Sequence, residues 1–251
     1  YPSILFGLQS AFRSAAGSLA GDYLKLFPSA FTQGQRGIPI NGLVWMGSYE
    51  EMCQRMEEKL DKGFRCVKLK IGAIDFESEL NLIRQLRARF SADTVELRVD
   101  ANGGFTPEEA PQRLEELARY DIHSIEQPIR QHQWEEMARL CANTPLPIAL
   151  DEELIGVNDY KQKIELLDTI HPQYIVLKPS LHGAFTGAGE WMSLAKDRGI
   201  GYWTTSALES NVGLNAIAQW CAAIDPDTSM PQGLGTGQLF VENFQEAPLH
   251  I

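Results

Sequence analysis

Five polar residues recur along this chain at nearly one spacing, and each ends a short apolar run. They are Lys70, Asp100, Glu126, Asp151 and Lys178, and successive members lie 30, 26, 25 and 27 residues apart. The runs that they end are CVKLK, ELRVD, HSIE, PIALD and YIVLK. This period is about the length of one strand and one helix. Because the carboxyl ends of successive barrel strands meet at one mouth, the spacing predicts an α/β barrel whose site lies at that mouth.

Polar and apolar residues alternate within these runs, as side chains on a strand alternate between its two faces. The alternation places Lys68, Lys70 and Asp100 toward the interior of the barrel. Burying an unpaired charge is costly, so inward charges on several strands must compensate one another or a bound metal. Glu96 and Arg98 lie deeper along their strand, and we predict that they form an internal ion pair.

The length of 251 residues fits a single barrel domain. Short strands that alternate with helices predict an α/β fold, specifically a TIM-like (β/α)7β barrel. We divide residues 1–251 into a leading helix and loop (1–37), the barrel (38–240) and a C-terminal tail (241–251). A doubly wound open sheet is the alternative, but it predicts a glycine-rich phosphate loop after an early strand, and the sequence has none.

Composition excludes several classes of partner. The net charge is −11 and no run of Lys or Arg occurs, which argues against binding nucleic acid or an anionic membrane. No uncharged apolar stretch approaches ~18 residues, so no membrane-spanning segment is expected. The four cysteines form no CxxC motif and indicate reduced thiols in a cytoplasmic protein. The five histidines show no metal-ligand spacing and are interpreted as surface or packing residues.

Local signals predict where elements begin. The first strand is expected at 38–46 and the eighth at 231–237. Helix starts are predicted at a Ser-x-x-Glu capping box, at an aspartate, at a Thr-Pro-x-Glu segment and at an asparagine. These starts are Ser48 with Glu51, Asp75, Thr106 with Pro107 and Glu109, and Asn158.

Three carboxylates without a nearby His or Cys make a hard oxygen site, which suits Mg²⁺, or Mn²⁺, better than zinc. A divalent cation stabilises the doubly charged enediolate that forms when a carbon beside a carboxylate loses its proton. Lys70 is then a candidate base with Lys68 as the neighbour that tunes it. Lys178, on the opposite wall, is expected to act on the other face of the substrate or to stabilise the enolate.

The motifs VKLKIG, RVDANGG, IEQP, LDEE and VLKPS, in this order, resemble the enolase superfamily in its muconate-lactonising-enzyme subgroup. The resemblance covers almost the whole chain. The segments PSLHGA, TTSALESNVGLNAIAQ and QGLGTGQLF resemble the members that dehydrate 2-succinyl-6-hydroxy-2,4-cyclohexadiene-1-carboxylate to 2-succinylbenzoate in menaquinone biosynthesis. The expected partner is therefore a small-molecule carboxylate.

The resemblance also implies a role for each matching residue. Lys70 matches the acid/base of a syn elimination, and Lys178 matches the lysine that stabilises the enolate from the opposite face. The remaining matches are the Mg²⁺ ligands Asp100, Glu126 and Asp151, the substrate-carboxylate neighbours Lys68 and Asn102, and the residues around the substrate Ser206, Glu209, Gly235 and Thr236.

The chain begins at Tyr1 with a helix-like segment and no initiating methionine. We expect that an N-terminal part is missing. The resemblance implies an N-terminal α+β capping domain that closes the mouth, and this sequence does not include it. The sequence leaves the oligomeric state open.

Three alternatives remain at this point. N-succinylamino acid racemases and dipeptide epimerases of the same superfamily use the same lysines and acids. A Schiff base at Lys178 is possible in a barrel enzyme but leaves the three acids unexplained. A non-catalytic binding module is the third alternative, although retention of all five polar residues argues against it.

Overall fold

Strands and helices alternate along the part of the chain that the computed structural model describes, residues 1–19, 21–45, 47–72 and 75–236. The strands are β1 Gly42–Val44, β2 Cys66–Lys70, β3 Glu96–Asp100, β4 Ile122–Glu126, β5 Ile148–Leu150, β6 Tyr174–Leu177 and β7 Gly201–Thr204. The helices are α1 Pro2–Leu19, α2 Tyr49–Asp61, α3 Phe76–Arg89, α4 Ala110–Ala118, α5 Trp134–Asn143, α6 Tyr160–Ile170, α7 Ala184–Asp197 and α8 Asn211–Ile224, with a 3₁₀ turn at Glu152–Leu154.

The seven strands form one sheet in chain order, and the pairs from β1 to β6 are parallel. The register aligns Lys68 with Arg98, Lys70 with Asp100, and Asp100 with Glu126. Aligned residues on neighbouring strands point to the same face of a sheet. The polar residues of β2, β3 and β4 therefore share one face, as the alternation predicts.

One compact unit comprises residues 41–175 and 195–201. It contains α2 to α6 and the three acids of the predicted site. Its strands carry an apolar face opposite the polar one, where Val67, Leu69 and Val99 are fully buried, and Ile83 and Leu86 of α3 are equally buried. This burial explains why the polar positions of the same strands turn to the other face.

A second compact unit is built around α1, α7 and α8. The Phe185 ring lies 5.1 Å from that of Phe6, 4.9 Å from that of Phe27 and 6.2 Å from that of Trp220. These aromatic contacts anchor the leading helix and the loop after it. The unit comprises residues 1–40, 176–194 and 202–251, described here as far as 236.

The predicted eighth strand is reduced to two isolated bridges in this second unit. Gln232 pairs with Ile40, and Gly233 pairs with Thr205. A Cβ atom at position 233 would collide with the Thr205 side chain, so only glycine allows this close approach. Residues 237–240, which include the last residue of the predicted eighth strand and end the predicted barrel segment, lie outside the described residues, as does the tail 241–251.

Several predicted helix starts are confirmed. Ser48 caps α2, and its reciprocal hydrogen bonds with Glu51 complete the capping box. Asp75 caps α3 through its side chain, which accepts a hydrogen bond from the Ser78 amide. Both caps satisfy amides that the first helical turn leaves without partners.

Three boundaries differ from the prediction. In the described part of the predicted first strand, residues 38–45, only Gly42–Val44 pairs continuously with β2, so the strand begins later than predicted. The reciprocal bonds of Thr106 and Glu109 form, but they close a turn, and α4 begins at Ala110. A helix from Pro107 would place the ring of Pro111 against the carbonyl of residue 107.

The cap of α6 is Asp159 and not Asn158. The Asp159 carboxylate accepts hydrogen bonds from the amides of Lys161 at 2.9 Å and Gln162 at 3.1 Å. An ionised carboxylate is a stronger acceptor than the neutral amide of Asn158, which donates to the Gly156 carbonyl instead.

Two of the compositional expectations can be compared with the described residues, namely those for membrane spans and for cysteines. None of their helices is both long enough and apolar enough to cross a bilayer. All four cysteines are buried free thiols, as the absence of a disulfide framework predicts: Cys53, Cys66, Cys141 and Cys221.

Candidate metal centre and active site

Three acidic side chains meet where consecutive strands end. Asp100 is the last residue of β3, Glu126 is the last residue of β4, and Asp151 directly follows β5. One carboxylate oxygen from each lies within 4.8 Å of the other two, and all three residues are buried. Parallel pairing of β3, β4 and β5 brings residues that are 25 or 26 positions apart to one edge.

Two lysines from β2 reach these acids. Lys68 Nζ donates to Asp100 Oδ2 at 3.1 Å and to Glu126 Oε2 at 2.8 Å. Lys70 Nζ donates to the same Asp100 oxygen at 2.5 Å and to Asn102 Oδ1 at 2.7 Å. The Lys70 side chain remains 22% exposed, against 13% for Lys68, so Lys70 is the more accessible amine.

Burial and neighbouring charges shift the pKa of three groups in this cluster, Lys68, Asp100 and Glu126. Burial disfavours the ammonium of Lys68, but the charges of Glu126 and Asp100 outweigh burial and raise the pKa of Lys68. Burial also disfavours the Asp100 carboxylate, yet Lys68 and Lys70 together lower its pKa below the usual range. For Glu126, burial and the charges of Asp100 and Asp151 prevail over Lys68 and raise the pKa to about 8.

The donor set fits a hard divalent cation. Glu126 Oε1 is buried and has no hydrogen-bond partner among the described residues. The three acids offer only carboxylate oxygens, and those of Asp100 and Glu126 already accept from lysine ammonium groups. Carboxylate oxygens are the donors that Mg²⁺ and Mn²⁺ prefer. The residues present therefore fit such an ion, held by Asp100, Glu126 and Asp151.

Asn102 links the Lys70 amine to the loop after β5. Its side-chain oxygen accepts from Lys70, and its Nδ2 donates to Glu152 Oε1 at 2.8 Å. The Asn102 amide donates to Asp100 Oδ1 at 3.1 Å. Its backbone has φ +44°, a left-handed conformation that asparagine adopts more readily than most residues. Asn102 thus orients both the lysine and the acid.

Two buried residues beside the acids were not singled out from the sequence. Gln127 follows Glu126, and its side-chain oxygen accepts the amide hydrogens of Asp151 and Glu153. Glu153 in turn accepts from the His132 amide and the Trp134 indole. Both residues lie inside quoted motifs, IEQP and LDEE, but no periodicity distinguishes them from ordinary loop residues.

Lys178 lies in the second compact unit, directly after β6. Its backbone amide donates to His182 Nδ1 at 3.1 Å, and its carbonyl accepts from the His182 amide at 3.0 Å. His182 is completely buried. The interpretation of this histidine as a packing residue is therefore incomplete, because its ring also fixes the main chain that carries Lys178.

Glu209 and Ser206 form a second polar cluster in that unit. The Glu209 carboxylate accepts from the hydroxyls of Ser180 and Ser206 and, at 2.9 Å, from the Ala207 amide. Gly235 and Thr236 follow the bridging residues, and the Thr236 hydroxyl is buried without a hydrogen-bond partner in the described part of the chain. Glu209 is thus engaged both with its own loop and with Ser180 after β6, and the roles predicted for these four residues remain predictions.

Of the eleven predicted site residues, the first unit brings together six: Lys68, Lys70, Asp100, Asn102, Glu126 and Asp151. The predicted internal ion pair is confirmed as well, since Arg98 Nε lies 2.8 Å from Glu96 Oε1. The other five predicted residues belong to the second unit.

A family profile identifies the domain. The profile described as enolase C-terminal domain-like matches residues 51–250, about four fifths of the chain. The matched residues include all the acids and lysines described above.

Two curated relatives are similar at different levels. The o-succinylbenzoate synthase of Desulfotalea psychrophila is 56% identical over 243 residues, which cover 97% of this chain and 64% of that protein. The L-Ala-D/L-Glu epimerase of Bacillus subtilis is 29% identical over 182 residues, covering 72% of this chain and 49% of that protein. The chain thus spans 64% of the length of the first relative and 49% of the length of the second.

A solved structure from the same organism as the first relative has a similar fold. The crystal structure of MenC from Desulfotalea psychrophila superposes with a TM-score of 0.84 at 57% identity, covering 88% of this chain and 61% of that one. With the profile match, this likeness confirms the predicted fold class, an α/β TIM-like (β/α)7β barrel.

Proposed function

We propose that this chain, which belongs to the enolase C-terminal domain-like family, carries the active site of an o-succinylbenzoate synthase. The reaction is the dehydration of 2-succinyl-6-hydroxy-2,4-cyclohexadiene-1-carboxylate to 2-succinylbenzoate, a step of menaquinone biosynthesis. The 56% identity to the Desulfotalea psychrophila synthase supports this substrate over others. The free cysteines favour a cytoplasmic protein, and the partner is a small carboxylate.

One observation carries the proposal: an accessible lysine amine lies 2.5 Å from one of three clustered acids. Proton abstraction beside a carboxylate needs a base and a means of stabilising the negative charge that develops. Lys70 supplies the base, and the cluster of Asp100, Glu126 and Asp151 supplies the binding site for a divalent cation. When bound, Mg²⁺ neutralises the substrate carboxylate and the charge that spreads onto it.

The proton follows a closed path through Lys70. The neutral amine removes the proton from the carbon beside the substrate carboxylate, and the electron pair of that C–H bond moves into the enolate. The C–O bond at the neighbouring ring carbon then breaks. The departing hydroxide takes the proton back from the Lys70 ammonium and leaves as water, while the ring becomes aromatic. One amine serves both steps because the elimination is syn.

The other lysines and Asn102 support this path. Lys68, hydrogen-bonded to two of the acids, balances their charge and is placed to attract the substrate carboxylate. Asn102 holds the Lys70 amine at 2.7 Å and so orients it. Lys178 is proposed to stabilise the enolate, with its main chain fixed by His182. Ser206, Glu209, Gly235 and Thr236 are proposed to border the substrate.

The test follows the loss of the cyclohexadiene substrate by ultraviolet absorbance in the full-length protein. Fast turnover that EDTA abolishes and Mg²⁺ restores is the expected result. Lys70→Ala should abolish turnover, whereas Lys161→Ala, which removes an exposed amine on α6, should leave it unchanged. A metal-loaded full-length protein that leaves the substrate intact would overturn the proposal.

A second candidate function is epimerisation or racemisation at the carbon beside a carboxylate. The 29% identity to a dipeptide epimerase favours it as the alternative, and the same lysine and acids suit its first step. Deuterium exchange at the α-carbon of dipeptides and N-succinylamino acids measures it. Exchange without dehydration would favour the epimerase.

A further inference from the structure

The Gln127 amide uses all of its hydrogen-bonding positions next to the acids. Its Oε1 accepts from the Asp151 amide at 3.1 Å and from the Glu153 amide at 3.2 Å. Its Nε2 donates to the Ile129 carbonyl at 3.0 Å and to Glu153 Oε2 at 3.3 Å. The side chain is fully buried, so no solvent molecule competes for these positions.

The Glu153 carboxylate is fixed from its other side. Its Oε1 accepts from the His132 amide at 2.7 Å and from Trp134 Nε1 at 2.9 Å. Glu153 is also fully buried. A buried carboxylate that receives several N–H donors is held rigidly, because each lost bond would leave a buried polar group unsatisfied. Gln127 and Glu153 therefore form one rigid contact between the loops after β4 and β5.

The backbone at Gln127 is strained in a way that this contact explains. Its φ is +37°, in the left-handed region that residues other than glycine seldom occupy. Such a conformation is unfavourable and persists only where the surroundings fix it. The turn points the Gln127 side chain toward the Asp151 backbone. The carboxylate of the preceding residue, Glu126, points into the acid cluster.

We infer that Gln127 and Glu153 are positioning residues that set the distance between Glu126 and Asp151 and thereby the affinity for the divalent cation. Gln127 is the neighbour of one acid and binds the backbone amide of the other. This role rests on the proposed metal-dependent function. Groups that orient metal ligands commonly contribute about 10–100-fold in metal affinity.

A reciprocal exchange tests the contact. Gln127→Glu sets two carboxylates against each other, and Glu153→Gln sets N–H groups against N–H groups in either orientation of the new amide. In the double variant, the new amide at position 153 can donate to the new carboxylate at position 127. The net charge of the protein stays the same. Only the Ile129 carbonyl then loses its donor.

The measurement is the dissociation constant of Mn²⁺ from the full-length protein without substrate, by electron paramagnetic resonance. Each single variant should bind Mn²⁺ about 10–100-fold more weakly, and the double variant should recover most of the loss. With Mg²⁺ titrated in turnover assays, the single variants should need more metal but approach wild-type turnover at saturation.

Gln173 provides the matched control. It lies at the opposite end of β5, where it accepts from the Ile148 amide at 2.9 Å and donates to the Cys141 carbonyl at 3.0 Å. Gln173→Glu makes the same chemical change as Gln127→Glu. It should lower the midpoint of thermal unfolding but change Mn²⁺ affinity less than about 2-fold. If Gln127→Glu does not fold, the Mn²⁺ affinity of Glu153→Gln, compared with that of Gln173→Glu, tests the positioning role.

The outcomes separate this role from the proposed function. The positioning role would be overturned if the single variants bound Mn²⁺ as tightly as the wild type. It would also be overturned if the double variant bound Mn²⁺ no more tightly than the single variants. A wild-type protein that binds Mn²⁺ but does not dehydrate the substrate would overturn only the proposed function. A wild-type protein that binds no Mn²⁺ would overturn both.

Discussion

Strand β3 has Glu96 at its amino end and Asp100 at its carboxyl end, and the charges near these two ends are satisfied in different ways. At the amino end, Arg98 Nε donates to Glu96 Oε1 at 2.8 Å, and the Cys66 thiol contacts the same oxygen at 3.3 Å. At the carboxyl end, Lys68 and Lys70 face the three acids. We refer to Glu96 with Arg98 as the amino-end pair, and to the two lysines with Asp100, Glu126 and Asp151 as the carboxyl-end cluster.

The difference lies in charge balance. The amino-end pair matches one cation with one anion and so is suited to stabilise the sheet. In the carboxyl-end cluster, burial and the charges of Asp100 and Asp151 prevail over Lys68 and raise the pKa of Glu126, and one buried Glu126 oxygen has no hydrogen-bond partner in the described residues. Burying charged carboxylates is unfavourable, so a bound cation should stabilise this cluster. The amino-end pair is thus suited to a structural role, and the carboxyl-end cluster of the same strands is suited to binding a cation.

Replacing a cation at each end gives the largest expected contrast. Lys70→Met should lower turnover of the cyclohexadiene substrate by about 10²–10⁴-fold, since it removes the proton carrier. Arg98→Met, the equivalent change in the amino-end pair, should keep turnover within about 3-fold of wild type while lowering the free energy of unfolding. Absorbance assays and urea unfolding measure both. Equal losses of turnover would show that the two ends share one role.

Neutralising an acid in the cluster should separate metal binding from stability. Glu126→Gln should weaken Mn²⁺ binding by at least about 10-fold, because one ligand oxygen carries less charge. In EDTA the same change should raise the midpoint of thermal unfolding by about 2–4 °C, a gain of about 1 kcal/mol, because burial and the neighbouring acids disfavour the Glu126 carboxylate and a neutral amide avoids that cost. Calorimetry at pH 8 without metal measures the shift, and a lower midpoint would contradict this explanation.

The matching change in the amino-end pair should have the opposite effect on stability. Glu96→Gln replaces a charge-assisted hydrogen bond with a neutral one, so the free energy of unfolding should fall by about 1–2 kcal/mol. The side chain of Glu96 is 33% exposed, which keeps the loss modest. Mn²⁺ affinity should remain within about 2-fold of wild type. A clear loss of affinity would mean that the two ends are coupled.

The smallest expected effect is the reactivity of Cys66. Burial is the main reason why the pKa of this thiol lies above its ordinary value, and the neighbouring Glu96 adds to the shift. At pH 8 the thiol therefore stays protonated, and only the thiolate reacts. Labelling with a thiol reagent followed by mass spectrometry should find Cys66 unmodified until the protein unfolds. Rapid labelling in the native state would show that the amino end opens.

Much of the fold and part of the site were predictable from local patterns. The strand alternation placed Lys68, Lys70 and Asp100 on one face because side chains alternate along every strand. The cap at Ser48 was predictable because its partner Glu51 lies one helical turn away. The cap at Asp159 was missed because Asn158 offers the same side-chain geometry and differs only in charge.

The sequence alone determined which polar residues lie at or directly after the carboxyl ends of β2 to β6, and which way those of β2 and β3 point, because both follow from the period of the strand–helix unit and from alternation. Tertiary structure decided which of those ends touch. The contact of Gln127 with the Asp151 amide joins residues 24 positions apart, and the contact between the Lys178 amide and the His182 ring depends on the turn after β6. Contacts of this kind depend on strand register and loop conformation, and no local spacing in the sequence specifies either.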